Sequence, residues 1–154
     1  MLHIVLHQPE IPPNTGNIIR LCANTNTNLH LIHPLGFTMT KKSLRRAYLD
    51  YEEFAKITHH KNFMEMKEYF SSKGYYAIST KGKTTFNNIK FKENDVFLFG
   101  SETQGLPKNT LSSSKCIDVL RIPMAEGSRS INLANSVSIV LYEALRQIGY
   151  PSLS

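Results

Sequence analysis

Asp95-Val-Phe-Leu-Phe99 carries four apolar residues in succession, without the in–out alternation of a strand that has one wet face. Such a strand has to be covered on both sides, and sheets covered on both sides are mainly parallel ones flanked by helices. The rest of the chain fits that requirement. Short runs rich in β-formers at residues 2–7, 29–33, 75–79 and 117–122 alternate with stretches of helical periodicity. A first helix is predicted to start at Asn14, as its cap, with Ile18, Ile19, Leu21, Cys22 and Ala23 as its apolar stripe. Residues 43–50 read as a short basic helix, 62–71 as a clear one, and 106–111 as a short one with Pro107 in its first turn. The longest helix is predicted over 131–148, with Leu133, Val137, Val140, Leu141, Ala144 and Leu145 on one face. The expected architecture is α/β: one domain over residues 1–154, built on a mostly parallel sheet.

Charge narrows the partners. Eighteen Lys and Arg against twelve Asp and Glu leave a net charge of +6. Lys41, Lys42, Arg45 and Arg46 fall within one short stretch, Lys81 and Lys83 flank Gly82, and Lys90 and Lys92 follow. Each cluster alone reads equally well as a solvated face, but three on one small domain favour contact with phosphate. No apolar run is long enough to cross a bilayer, and the N-terminus lacks a secretory pattern, so the expectation is a cytoplasmic protein without a membrane partner. Cys22 and Cys116 stand alone and read as buried free thiols. The six histidines have no metal-ligand spacing: His30 and His33 point to opposite faces of one strand, and His59 and His60 are adjacent. No metal site is expected. No Gly-x-Ser-x-Gly elbow is present either.

Two strand-to-helix junctions carry the chemistry. Phe97-Leu-Phe-Gly-Ser-Glu-Thr-Gln-Gly-Leu-Pro107 is the first and Arg121-Ile-Pro-Met-Ala-Glu-Gly-Ser-Arg-Ser-Ile-Asn-Leu-Ala-Asn135 the second. Side by side, two such turns make a pocket of backbone N–H and C=O groups suited to a nucleoside-like ligand. The first is not a triphosphate loop, because Leu106 and Pro107 stand where Lys and Ser or Thr are needed, and Glu102 would repel the phosphates. A sulfonium such as S-adenosylmethionine suits a loop with an acid and no lysine. Taken singly, the first loop is equally an ordinary turn whose glycines relieve strain, and the second an ordinary helix cap formed by Ser130. Upstream, a proline-stiffened loop leads through Asn14 to Arg20, which can present a fixed guanidinium to phosphate, or be a plain surface cation.

Asn14-Thr-Gly-Asn-Ile-Ile-Arg20, Phe99-Gly-Ser-Glu-Thr-Gln-Gly-Leu-Pro107 and Ser128-Arg-Ser-Ile-Asn-Leu-Ala-Asn-Ser-Val137 together resemble the three motifs of the SPOUT-class RNA 2′-O-ribose methyltransferases. The likeness is closest to the small bacterial members that methylate the wobble nucleotide of tRNA, a cytidine or a modified uridine. It covers nearly the whole chain, at the length of the minimal form. The resemblance implies an α/β knot: a deep C-terminal trefoil, a rare exception to the usual rules of chain connection. It implies S-adenosylmethionine as cofactor, held by Ile78 and Thr80, by Gly100, Glu102 and Gly105, by Ile122 and Met124, and by Ser130 and Leu133. It implies a homodimer whose active site is completed across the interface, with the N- and C-terminal helices as interface surfaces. Arg20 takes the position of the family's motif arginine, with Asn14, Ser130 and Asn132 orienting the ribose or Arg20. Lys41, Lys42, Arg45, Arg46 and Tyr142 are the expected tRNA contacts. A methyltransferase for another tRNA or ribosomal RNA position, or a knotted RNA-binding protein without catalysis, would share much of this pattern.

Overall fold

A computed structural model describes residues 1–45 and 56–154. In chain order the elements are β1 (His3–His7), α1 (Pro12–Asn24), β2 (Asn28–Ile32), α2 (Lys41–Arg45), β3 (Ile57–His60), α3 (Phe63–Tyr69), β4 (Tyr75–Ile78), β5 (Thr84–Thr85), β6 (Val96–Phe99), α4 (Lys108–Leu111), β7 (Cys116–Arg121) and α5 (Leu133–Gln147). The strands form one sheet in the order β3-β2-β1-β6-β4-β7-β5, and every ladder is parallel. The unalternating strand is β6. It lies between β1 and β4, with Ile4 opposite Phe97 and Tyr76 opposite the same residue.

Both faces of β6 are used. Phe97 and Phe99 point into the larger core, with Ile4 and Leu6 of β1, Ile18, Ile19 and Cys22 of α1, and the α5 stripe Val137, Val140, Leu141, Ala144 and Leu145. Val96 and Leu98 point the other way, into a smaller core with Val5, Ile32, Met66, Phe70 and Ala77. Burying each such side chain is worth roughly 1.5–3 kcal/mol, which is why the sequence of this strand admits no polar residue.

The ends of two helices differ from the sequence expectation. α1 starts at Pro12, with Ile11 before it, so Asn14 is inside the first turn and not its cap. Two prolines at the first helical positions cost nothing there, because those N–H groups have no partner within the helix. α5 begins at Leu133 and is capped by Asn132, whose Oδ1 accepts from the Asn135 N–H at 3.2 Å; Ser130 lies outside it and is exposed. β3 and β5 were not foreseen. Cys22 is buried, with its thiol pushed up to about 12 by burial, whereas Cys116 is only half-buried. The predicted basic helix at 43–50 overlaps α2, described over Lys41–Arg45; residues 46–50 of that prediction lie outside the described residues.

On the smaller-core face, β1, β2 and β3 bring three histidines into a row. His3 Nδ1 lies 3.1 Å from His30 Nε2, and His30 Nδ1 lies 3.0 Å from His60 Nε2. All three are buried, under the rings of Phe70 and Tyr69. Burial lowers His3 to about 4 and His30 to about 3, so the row is neutral. A neutral imidazole has one donor and one acceptor, so all the protons in the row point in one direction.

Candidate active site

At the carboxyl ends of β4, β6 and β7 the chain encloses a cavity of about 470 Å³. This is where ligands settle in open parallel sheets, outside the strand ends and close to the reversal of strand order. Four segments wall it: Ile11 and Asn14 at the start of α1, residues 78–81 from the end of β4, 99–106 from the end of β6, and Ile122, Met124, residues 130–133 and Ser136 before and at the start of α5. Its floor is apolar, from Ile78, Phe99, Leu106, Ile122 and Leu133. Its rim is polar.

The loop after β6 is folded tightly on itself. Ser101 pairs with Gly105, whose N–H donates to the Ser101 carbonyl at 3.0 Å. A Cβ on Gly100 would lie 2.2 Å from the Gly105 carbonyl carbon, so no other residue fits there without moving the loop. Gly105 has φ +66°, a backbone state that favours glycine.

Glu102 ties this loop to the start of α1. Its carboxylate accepts from the backbone N–H of Glu10 at 2.8 Å and of Ile11 at 3.0 Å, and from Asn14 Nδ2 at 3.3 Å. Asn14 Oδ1 in turn accepts from Asn132 Nδ2 at 3.0 Å, and Asn132 caps α5. The direction of this chain is set at both ends: a carboxylate only accepts, and a backbone N–H only donates. All three motif segments thus join in one hydrogen-bonded line through the buried Asn14. On the outer side, Thr103 donates to Glu10, which holds that carboxyl below the usual range.

Every residue expected to hold the cofactor lies in this wall. The strand end supplies Ile78 and Thr80, the β6 loop Gly100, Glu102 and Gly105, and the last segment Ile122, Met124, Ser130 and Leu133. Asn14, Ser130 and Asn132 join them, but Arg20 does not: it is exposed on α1, beyond the wall. Residues 125–129 of the second motif, including Arg129, also stay outside the wall and are exposed. Lys41 and Lys42 are exposed on α2, nothing is described of the Arg45 side chain, and Arg46 is outside the described residues. Tyr142 is exposed on α5 and is not part of the cavity wall. Sequence reasoning missed Ile11, Lys81 and Ser136 as wall residues. Lys81 had been visible only as part of a basic cluster. Among the described residues, no group of His, Cys, Asp or Glu is arranged to hold a metal ion, and no helix is long and apolar enough to cross a membrane.

Residues 1–142 match the SpoU rRNA methylase family. The chain belongs to that family. The tRNA (cytidine(34)-2′-O)-methyltransferase of Escherichia coli strain K12 is 50% identical over 151 residues, a span of 98% of this chain and 96% of that protein. A solved structure described as giving structural insights into the 2-OH methylation of C/U34 on tRNA superposes with a TM-score of 0.88 at 41% identity, covering 96% of this chain and 95% of that one. An AdoMet-bound rRNA methyltransferase from Sinorhizobium meliloti gives a TM-score of 0.80 at 25% identity, over 94% of this chain and 56% of that one.

Proposed function

We propose that this methylase transfers a methyl group from S-adenosylmethionine to the ribose 2′-hydroxyl of the wobble nucleotide of tRNA, a cytidine or a modified uridine. The observation that carries the reading is the enclosure of one cavity by all three motif segments, locked together by Asn14, Glu102 and Asn132. Near-complete coverage by wobble methyltransferases at half identity supports the choice of nucleotide. The cavity fits the cofactor: its volume suits a nucleoside-sized ligand, its floor is apolar for a purine, and among the described residues Lys81 is the one basic residue in its wall. Bound there, the cofactor would supply an electrophilic methyl group on a sulfonium.

The chain's own residues have two tasks. One is to hold the ribose hydroxyl in line with the methyl carbon, which on its own lowers a barrier by several kcal/mol. Asn14, Ser130 and Asn132 stand at the rim for this. The other is to help the hydroxyl lose its proton. A guanidinium is a donor and no base; Arg20 grips the neighbouring phosphate, which takes the proton, or stabilises the forming alkoxide. Since Arg20 stands outside the wall, a second copy completes the site. The α5 stripe is spent in the protein's own core, leaving Ile139 and Tyr142 exposed for that contact. The knot implied by the family resemblance belongs to this proposal, with residues 122–132 and α5 as the threaded part.

Mapping 2′-O-methyl groups in RNA from cells lacking the gene tests the assignment. Loss of the wobble methyl and retention of the others is expected. An intact wobble methyl with a different site lost would overturn it.

A further inference from the structure

A second hollow, of about 480 Å³, opens at the carboxyl ends of β2 and β3. Its wall includes His33, Phe37, Met39 and His59. Two rings are fixed against each other there: His33 Nε2 lies 2.8 Å from His59 Nδ1, with ring centres 5.0 Å apart at 47°. That pairing uses one nitrogen of each imidazole. It leaves His33 Nδ1 and His59 Nε2 as polar atoms of a wall otherwise made of Pro34, Leu35, Phe37, Met39 and the polar Thr38.

The hollow shares its sheet edge with the methyl-transfer cavity. β6 borders that cavity, and β1 alone separates β6 from β2. The nearest bordering strands, β2 and β6, are two spacings of about 4.8 Å apart, and the middles of the two strand sets are three to four spacings apart, roughly 17 Å. The loop between them is rigidly tied to both. Gly36 N–H donates to the Pro9 carbonyl at 2.9 Å, and a Cβ on Gly36 would meet Glu10 Cα at 2.9 Å. Glu10 and Ile11 donate in turn to Glu102.

The surroundings are basic. Lys41 and Lys42 stand on α2, separated by one residue from the lining residue Met39, and Ser43 Oγ donates to the Thr38 carbonyl at 2.9 Å, fixing α2 to the rim. Lys61 follows β3 at the end of the strand where the hollow opens, and is exposed. An apolar, ring-lined hollow amid cations suits an unstacked base on a phosphate backbone, since bases stack on aromatic and imidazole faces while lysines neutralise the phosphates.

We propose that this hollow takes an unstacked nucleobase of the anticodon loop, a neighbour of the methylated nucleotide, and so fixes which ribose reaches the first cavity. The proposal rests on the wobble-methylation reading for the identity of the RNA. Phe37 and Met39 provide the stacking surface, and His33 and His59 the edge contacts.

The test is anisotropy of a labelled anticodon stem–loop RNA on the full chain, with single abasic sites placed at each loop position in turn. For the unsubstituted RNA, His59→Ala and Phe37→Ala are each expected to weaken binding roughly five- to hundredfold, the range of a lost base stack. S-adenosylmethionine affinity should stay unchanged. One abasic position should weaken binding to the wild type and make no further difference to either variant. Equal abasic penalties in wild type and variants, or unchanged RNA binding by the exposed-site variant His59→Ala, would overturn the subsite. Failure of the wobble-methylation reading would look different: the wild type itself would not prefer this stem–loop to one from an unrelated hairpin.

Discussion

Asn14 is the residue on which the site turns. It is buried, donates to Glu102 and accepts from Asn132, so its two ends hold the β6 loop and the start of α5 in one register. Asn14→Asp keeps the shape and the acceptor for Asn132 but sets a second carboxylate against Glu102. Unpairing that bond and adding like charge should cost on the order of 1–3 kcal/mol. The loss should shrink as pH falls and one of the two carboxylates takes a proton to share. Urea unfolding of the variant at about pH 7 and pH 5 checks this; a difference from wild type that does not change with pH would mean that the two carboxylates do not meet. The motif was legible in the sequence, yet the role of Asn14 was not. A cap was predicted because the residue type favours caps, whereas two prolines moved the helix start upstream and freed the side chain for a long-range partner.

At the scale of elements, the histidine row across β1, β2 and β3 sets an acid limit on the fold. The unfolded chain holds these imidazoles near their ordinary value of 6.5, while the folded chain holds His3 near 4 and His30 near 3. The unfolded state therefore binds more protons below 6.5. Stability is full above that value and drains as pH falls toward 4 and 3, by on the order of 2 kcal/mol for a buried imidazole at pH 5. His30→Phe should flatten the dependence measured by denaturant midpoints between about pH 7 and pH 5. An unchanged slope would show that the row does not set the acid limit. The strands themselves were unevenly legible. β6 announced itself through an unbroken apolar run. β3 did not, because Ile57-Thr-His-His60 has one strongly apolar residue and is made a strand by its neighbour β2 and by the paired histidines. α5 was read two residues too long at its start, since Ile131 continues the apolar pattern while Asn132 caps.

At the scale of the molecule, the cavity wall gathers every residue expected to hold the cofactor and does not include Arg20. Long-range assembly of this kind is invisible to sequence spacing: residues more than a hundred positions apart, such as Asn14 and Asn132, meet only because α1 and α5 pack together. If a second copy brings Arg20 to the ribose, then Arg20→Ala and Gly100→Val chains should each be inactive alone. Mixed by co-expression they should regain about a quarter of wild-type activity, as expected for random pairing in a twofold dimer. No recovery would mean that Arg20 serves the cavity of its own chain. The claim beneath all of this is that the cavity directs a methyl group to a ribose oxygen. The direct measurement is transfer from methyl-labelled S-adenosylmethionine to two otherwise identical tRNAs, one with cytidine and one with 2′-deoxycytidine at the wobble position. Label should enter the first and be absent from the second; label in the deoxy RNA would contradict the account.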